Sequence, residues 1–293
     1  MHKMNNYRLL NVGLTIGLAL TASGLCKAQD NTRATPTREE LYCSGVVSDK
    51  PVPNNLYVVS GEDSSYKSTF QQGDTIYINA GGEQGVRIGD EFDIVRPEND
   101  PMSQAPWFKY QVSLSKAMGT RYADIGRLRV VHVDAKTSTT EIVFGCDFVQ
   151  RGDIVRATVA RPAPQFRDSK LDSYAAPSGK KMAMVVSTRD YGSLVGAGSV
   201  VYVNLGEGQG VKIGDYFRVF RYQGSRNETI YSMKDSAFKM YGFGSTPVAY
   251  QWNNLPRQIV GEGIVLRTGT NSSTVLLTGS RNPVYAGDYV EVE

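Results

Sequence analysis

Apolar and polar residues alternate with a period of two in short runs along much of this chain. Ile76 and Ile78 alternate with Tyr77 and Asn79; Phe92, Ile94 and Arg96 alternate with Glu91, Asp93 and Val95. Ile264 and Leu266 share one run, and Val290 and Val292 share the last. Successive strand side chains point to opposite faces, so these runs read as strands. Gly and Asp punctuate them, as expected of antiparallel strands joined by tight turns. The pattern predicts an all-β fold with minor α, built as small barrels or sandwiches. Two segments depart from it: 107–118, with Phe108, Val112 and Leu114, and 228–241, with Ile230, Met233, Ala237 and Met240. Each predicts a short helix.

The pattern occurs twice. Residues 76–96 read IYINAGGEQGVRIGDEFDIVR and residues 201–221 read VYVNLGEGQGVKIGDYFRVFR, with eleven of twenty-one positions identical at a constant offset of 125. At an offset of 135, Gly126 meets Gly261, Ser138-Thr139 meets Ser273-Thr274, and Gly152-Asp153 meets Gly287-Asp288. A duplicated module follows, with copy one at 55–159 and copy two at 182–293. Copy two carries ten extra residues within 222–260. A Pro- and Ala-containing linker, 160–181, joins the copies, and an arm, 29–54, precedes them. Gly85, Gly89, Gly152 and their counterparts Gly210, Gly214 and Gly287 suit positive φ. Asp90, Asp153, Asp215 and Asp288 each follow a glycine, where a carboxylate accepts backbone N–H bonds and fixes a turn. Shared by both copies, these are structural turn residues before they are site residues.

The first 28 residues read as an export signal. Lys3 and Arg8 precede an apolar stretch from Leu9 to Leu25, and Cys26-Lys27-Ala28 places small residues at a cleavage site after Ala28. Leu25 argues against acylation of Cys26, since an acylated cysteine normally follows a small residue. Asn11, Thr15, Thr21 and Ser23 interrupt the stretch, which is short for a membrane span. Cleavage leaves no other apolar run long enough to span as a helix. The expected destination is the periplasm, with secretion or envelope association as alternatives.

Cleavage also changes the charge. Residues 1–28 hold three of the 32 bases and no acid, leaving 29 bases against 29 acids. A neutral chain lacks the surplus positive charge with which nucleic-acid binders displace phosphate counterions. Of the three cysteines, Cys43 and Cys146 remain. In an oxidising compartment they are expected to form a disulfide stapling the arm to copy one.

Catalytic chemistry is sparse. His132 is the one histidine left after cleavage, and it aligns with Arg267. A position that holds either residue reads as strand surface rather than as a catalytic site. One histidine and two bonded cysteines do not make the usual zinc site, so no metal and no cofactor are expected. No Gly-x-Ser-x-Gly turn presents a nucleophile. Asp90 and Asp215 lack the Asp-Thr/Ser-Gly setting of an aspartic protease dyad. Binding residues are sought instead where the copies differ, among the insert aromatics Trp107, Phe108, Tyr110, Tyr241, Phe243, Tyr250 and Trp252, whose alternative role, and the one more expected of large aromatics, is to plug the open end of each module.

The pattern Gly-Val-x-x-Gly-Asp-x-Phe-x-Val-x-Arg, here Gly85 to Arg96 and Gly210 to Arg221, resembles the C-terminal domain of flagellar assembly protein T. The later Gly-Asp strands at Gly152-Asp153 and Gly287-Asp288 are similar too. The resemblance implies a periplasmic, β-rich, non-catalytic part of a larger assembly. This chain departs from that family in its tandem copies and in lacking residues for the larger N-terminal domains. Together these readings predict a non-enzymatic envelope scaffold or adaptor, with a peptidoglycan or other glycan-binding module as the alternative and a hydrolase as a third. The expected partners are an envelope protein assembly or peptidoglycan.

Overall fold

A computed structural model describes residues 33–98, 109–168, 171–192, 194–222, 238–241, 247–250 and 256–293. The arm carries helix α1 (Arg38–Tyr42) and strand β1 (Val46–Ser48). Thr37 caps α1: its Oγ1 accepts from Glu40 N at 3.2 Å while its own N–H donates to Glu40 Oε2 at 2.7 Å. This reciprocal pair satisfies two donors that a helix start leaves free.

Copy one follows as β2 (Val58–Gly61), β3 (Thr69–Phe70), β4 (Thr75–Ile78), β5 (Glu91–Pro97), helix α2 (Lys109–Met118), β6 (Thr120–Val133), β7 (Ser138–Gly145), β8 (Val149–Gln150) and β9 (Ile154–Ala157). Copy two supplies β10 (Met182–Thr188), β11 (Leu194–Val195), β12 (Val200–Val203), β13 (Tyr216–Arg221), β14 (Phe238–Tyr241), β15 (Pro247–Tyr250), β16 (Gln258–Thr268), β17 (Ser273–Ser280), β18 (Val284–Tyr285) and β19 (Tyr289–Val292). Helix α2 lies within the segment predicted helical at 107–118. The second predicted helix is corrected: Phe238–Tyr241 is a strand paired antiparallel with Pro247–Tyr250, and 223–237 lie outside the described residues. Phe, Met and Tyr sit readily on a pleated surface once a partner strand is available.

The architecture is largely β with two sheet systems. The strand order is β2-β4-β7-β6-β5-β9 in the first and β10-β12-β17-β16-β13-β19 in the second. The repeat extends to the minor hairpins, since β3 pairs β8 as β11 pairs β18, at the same offsets of 125 and 135. Of the two barrels expected, one closes as a ladder. Strands β10 and β19 pair over Met182↔Glu291, Ala183↔Val290 and Met184↔Tyr289. The first system is a curled sheet whose ends meet at one bridge, Tyr57↔Ile154. Hydrogen bonds from Val58 N to Asp153 O (2.9 Å) and Val155 N to Leu56 O (2.9 Å) stitch the seam. Pro53, Asn54 and Asn55 stand where a longer ladder would begin, and these residues disfavour strand.

The copies bury different faces. Both have an inner core: Ile76, Ile78, Ile94, Leu128 and Ile142 in the first, Val201, Val203, Phe217, Val265 and Val275 in the second. The outer row of copy one is Glu91, Arg129, Glu141 and Thr75, paired across β5, β6, β7 and β4. The equivalent row of copy two is Tyr216, Ile264, Leu276 and Val200. That apolar row is buried beneath Leu41, Val47 and Met118, with Leu114 and Phe166 packed alongside. Strand β12 is therefore buried on both faces, whereas β7 alternates buried and accessible positions. Ala34–Glu293 forms one compact unit.

Candidate functional site

The Gly-Asp turns are built alike in both copies. Gly85 and Gly210 have φ 81° and 92°, Gly89 and Gly214 91° and 92°, and Gly152 and Gly287 86° and 103°, all in the left-handed region. Asp90 Oδ2 accepts from Arg87 N at 2.9 Å and Asp215 Oδ2 from Lys212 N at 2.8 Å. Asp153 Oδ2 accepts from Gln150 N at 2.7 Å and Asp288 Oδ2 from Tyr285 N at 2.8 Å. The second pair has a further partner. Arg96 grips Asp153 through Nε and Nη2 at 2.7 and 2.8 Å, and Arg221 grips Asp288 at 2.6 and 2.7 Å. Both arginines belong to the repeated pattern, so the sequence carried this signal. What it lacked was the fold that brings the strand bearing the arginine beside the closing turn. These aspartates are committed to the fold.

The arm lies between the copies. The Cys43–Cys146 disulfide anchors it to copy one, with Cα atoms 5.4 Å apart. Strand β1 pairs antiparallel with β6 over Val46↔Tyr122, Val47↔Arg121 and Ser48↔Thr120. Its other side receives donors from copy two: Tyr202 Oη to Ser44 O (2.9 Å), Arg267 Nη1 to Gly45 O (3.1 Å) and Ser272 Oγ to Val47 O (2.8 Å). Gly45 is required here, since it has φ 68° and a Cβ would lie 2.3 Å from the Tyr202 hydroxyl.

A charge network occupies the same junction. Buried Asp124 of β6 accepts from Gly45 N (2.9 Å), from Arg161 Nη1 and Nη2 (2.9 and 2.8 Å), and from Arg267 Nη1 (3.1 Å). Burial pushes Asp124 upward, but Arg267 and Arg161 outweigh it and hold the carboxyl below its usual value. The reading of position 267 as strand surface is corrected. His132 is exposed, whereas its counterpart Arg267 is half-buried against Asp124, because copy two turns this face toward copy one. The linker is likewise more than a spacer. Arg161 is buried, and Arg167 N donates to Tyr216 Oη at 2.8 Å.

Beside this network lies a cavity of about 230 Å³, with Asp93, Arg156, Arg161 and Arg267 on its polar wall and Val159, Pro162, Ile213 and Leu266 on its apolar wall. Asp93 and Arg156 stand opposite each other on β5 and β9. Sequence reasoning passed over this group because its members come from four separate stretches of chain.

Trp107, Phe108, Phe243 and Trp252 lie outside the described residues. Tyr110 falls in α2, Tyr241 in β14 and Tyr250 in β15. Among the described residues no group of three or more His, Cys, Asp or Glu side chains is placed to hold a metal, and no helix is long and apolar enough to cross a membrane. No family model matches the chain, and no curated protein is similar to it.

Proposed function

We propose that this chain is an exported, non-enzymatic scaffold or adaptor of the cell envelope, presenting two β modules in fixed relation. The observation that supports this reading is the arm. Its backbone is hydrogen-bonded to β6 on one side and to Tyr202, Arg267 and Ser272 on the other, and the disulfide ties it down. Such a junction suits an element that holds partners at a set distance, since an interface sealed by a shared strand resists relative domain motion. The motif's resemblance to a domain of periplasmic assemblies points the same way, as does the export signal read at residues 1–28.

Crosslinking in intact cells, followed by identification of the captured species, tests the reading. Recovery of a defined envelope protein supports it. Recovery of this chain in the cytoplasm, with residues 1–28 still attached, overturns it. Sedimentation with purified sacculi separates the glycan-binding alternative: saturable co-pelleting that Trp107→Ala or Trp252→Ala abolishes replaces the adaptor with a glycan reader.

A further inference from the structure

The face of copy two that receives the arm is built as a row of side-chain donors. Tyr202, Thr274 and Arg267 stand in register across β12, β17 and β16. Tyr202 Oη donates to Ser44 O (2.9 Å), while Thr274 Oγ1 (3.3 Å) and Arg267 Nη1 (3.1 Å) both donate to Gly45 O. Ser272 Oγ donates to Val47 O (2.8 Å). The row is repeated on copy one. Tyr77, Thr139 and His132 stand in the same register across β4, β7 and β6, and Thr137 takes the place of Ser272. Each of these side chains carries a donor, three hydroxyls and an imidazole N–H. Both long strands also shift register at the same point, between Val130 and His132 and between Val265 and Arg267. Such a bulge re-aims the side chains beside it, here alike in both copies.

The two rows differ in cover. Tyr77 and Thr139 are half-buried and Thr137 is exposed, and among the described residues none of their hydroxyls has a hydrogen-bond partner. His132 reaches Asp134 at 3.4 Å, and both are exposed. Val131 is 44 % exposed, whereas its counterpart Leu266 is 1 % exposed beneath the arm. The neighbouring outer positions differ in charge. Glu91 pairs with Arg129 at 2.8 Å, but exposed Glu141, the counterpart of buried Leu276, has no ion-pair partner among the described residues.

We propose that this face of copy one takes an extended segment of a protein partner, seated as the arm is seated on copy two. The segment lays its carbonyls on Tyr77, Thr139 and His132. It carries glycine where the arm carries Gly45, which has φ 68° and whose Cβ would meet the Tyr202 hydroxyl that Tyr77 repeats. It keeps an apolar side chain for Val131. Where the arm brings Leu41 to an apolar row, the segment brings a basic side chain to answer Glu141. The arm itself is committed elsewhere by the disulfide and by β6, in this chain and in any second copy, so the occupant is a different protein. The proposal deepens the adaptor reading and rests on it for the origin of the segment.

Fluorescence anisotropy of the full-length oxidised protein with two labelled peptides tests this. One peptide is Glu40–Asp49 with Cys43→Ser; the other adds Leu41→Lys. Both are expected to bind saturably, the lysine peptide about threefold more tightly. Tyr77→Phe and Thr139→Val are each expected to weaken it about fivefold, the worth of one hydrogen bond. Tyr66→Phe, at a position 93 % exposed, is expected to leave it unchanged. Gly45→Ala in the peptide is expected to cost about tenfold, and Glu141→Gln in the protein to erase the preference for lysine. No saturable binding of either peptide, or undiminished binding in Tyr77→Phe/Thr139→Val, overturns the proposal. Self-association in sedimentation velocity that this double variant abolishes also overturns it, because a second copy then holds the row. Should the double variant fail to fold, Thr137→Val/His132→Ala, both at exposed positions, is expected to show the same loss; undiminished binding there overturns the proposal too. The titration reads the row on purified protein and the crosslinking reads the adaptor in cells, so either can fail while the other stands.

Discussion

Arg221 meets Asp288 fork to fork, its Nε and Nη2 at 2.6 and 2.7 Å from the two carboxylate oxygens. Arg96 repeats the arrangement on Asp153 in the first sheet. Each arginine also donates to a carbonyl before the turn, Phe148 O or Pro283 O, so one guanidinium fixes both the aspartate and the chain leading to it. The clamp joins strands that are neighbours in space and more than fifty residues apart in sequence.

Removing one partner of this clamp is expected to cost about 3–5 kcal/mol, since it strands a buried charge. Arg221→Ala leaves Asp288, 0 % exposed, without its counter-charge. Urea unfolding of Arg221→Ala and of Arg221→Leu/Asp288→Asn checks this: the double variant is expected to recover part of the loss because it leaves no lone charge.

Stability is expected to fall in acid through Asp124. Its carboxyl titrates lower in the folded protein than in the unfolded chain, despite burial, because Arg267 and Arg161 favour the anion. A depressed folded value gives stabilisation that is complete above the unfolded value of about 4 and is lost as pH falls through the folded one. Melting curves of wild type and Asp124→Asn should differ most near neutrality and converge as pH drops below about 4.

Breaking the Cys43–Cys146 bridge, which spans 103 residues, is expected to cost about 4–5 kcal/mol in the chain-entropy model. Denaturant midpoints of Cys43→Ser and Cys146→Ser should fall together. The double variant should match either single one, since each already removes the whole link.

Gly45→Ala is expected to displace the arm. The new Cβ meets the Tyr202 hydroxyl, and the backbone there holds φ 68°. With the arm lifted, the apolar row of Tyr216, Ile264 and Leu276 loses its cover. The variant should bind a hydrophobic dye and be cut by protease within 34–48, whereas wild type should do neither.

The strand grammar, the duplication and the disulfide were legible because each rests on local spacing or residue type. Closure of only one barrel hinged on Pro53, Asn54 and Asn55, which straddle the start of copy one and belong to none of the matched segments. The role of Arg267 was hidden because its partner, Asp124, aligns with Ile259 rather than with another acid. Copy two's two-sided burial was signalled by the run VVYV at 200–203, where copy one has TIYI at 75–78, but a short apolar run does not say what will cover it. The cavity was invisible for a different reason. Its wall is assembled from four separate stretches of chain, and what they bring together is a property of three-dimensional distance.

The position of Gly45 also imposes an order on assembly. Its amide is answered by Asp124, whereas its carbonyl waits for Arg267 and Thr274, more than two hundred residues later. A chain made from its N-terminus therefore emerges with this carbonyl lacking its copy-two donors until residues 267–274 have been synthesised. The Cys43–Cys146 link becomes available far earlier. It can hold the arm against the first sheet as a half-built seat, onto which the second module docks when its last strands arrive.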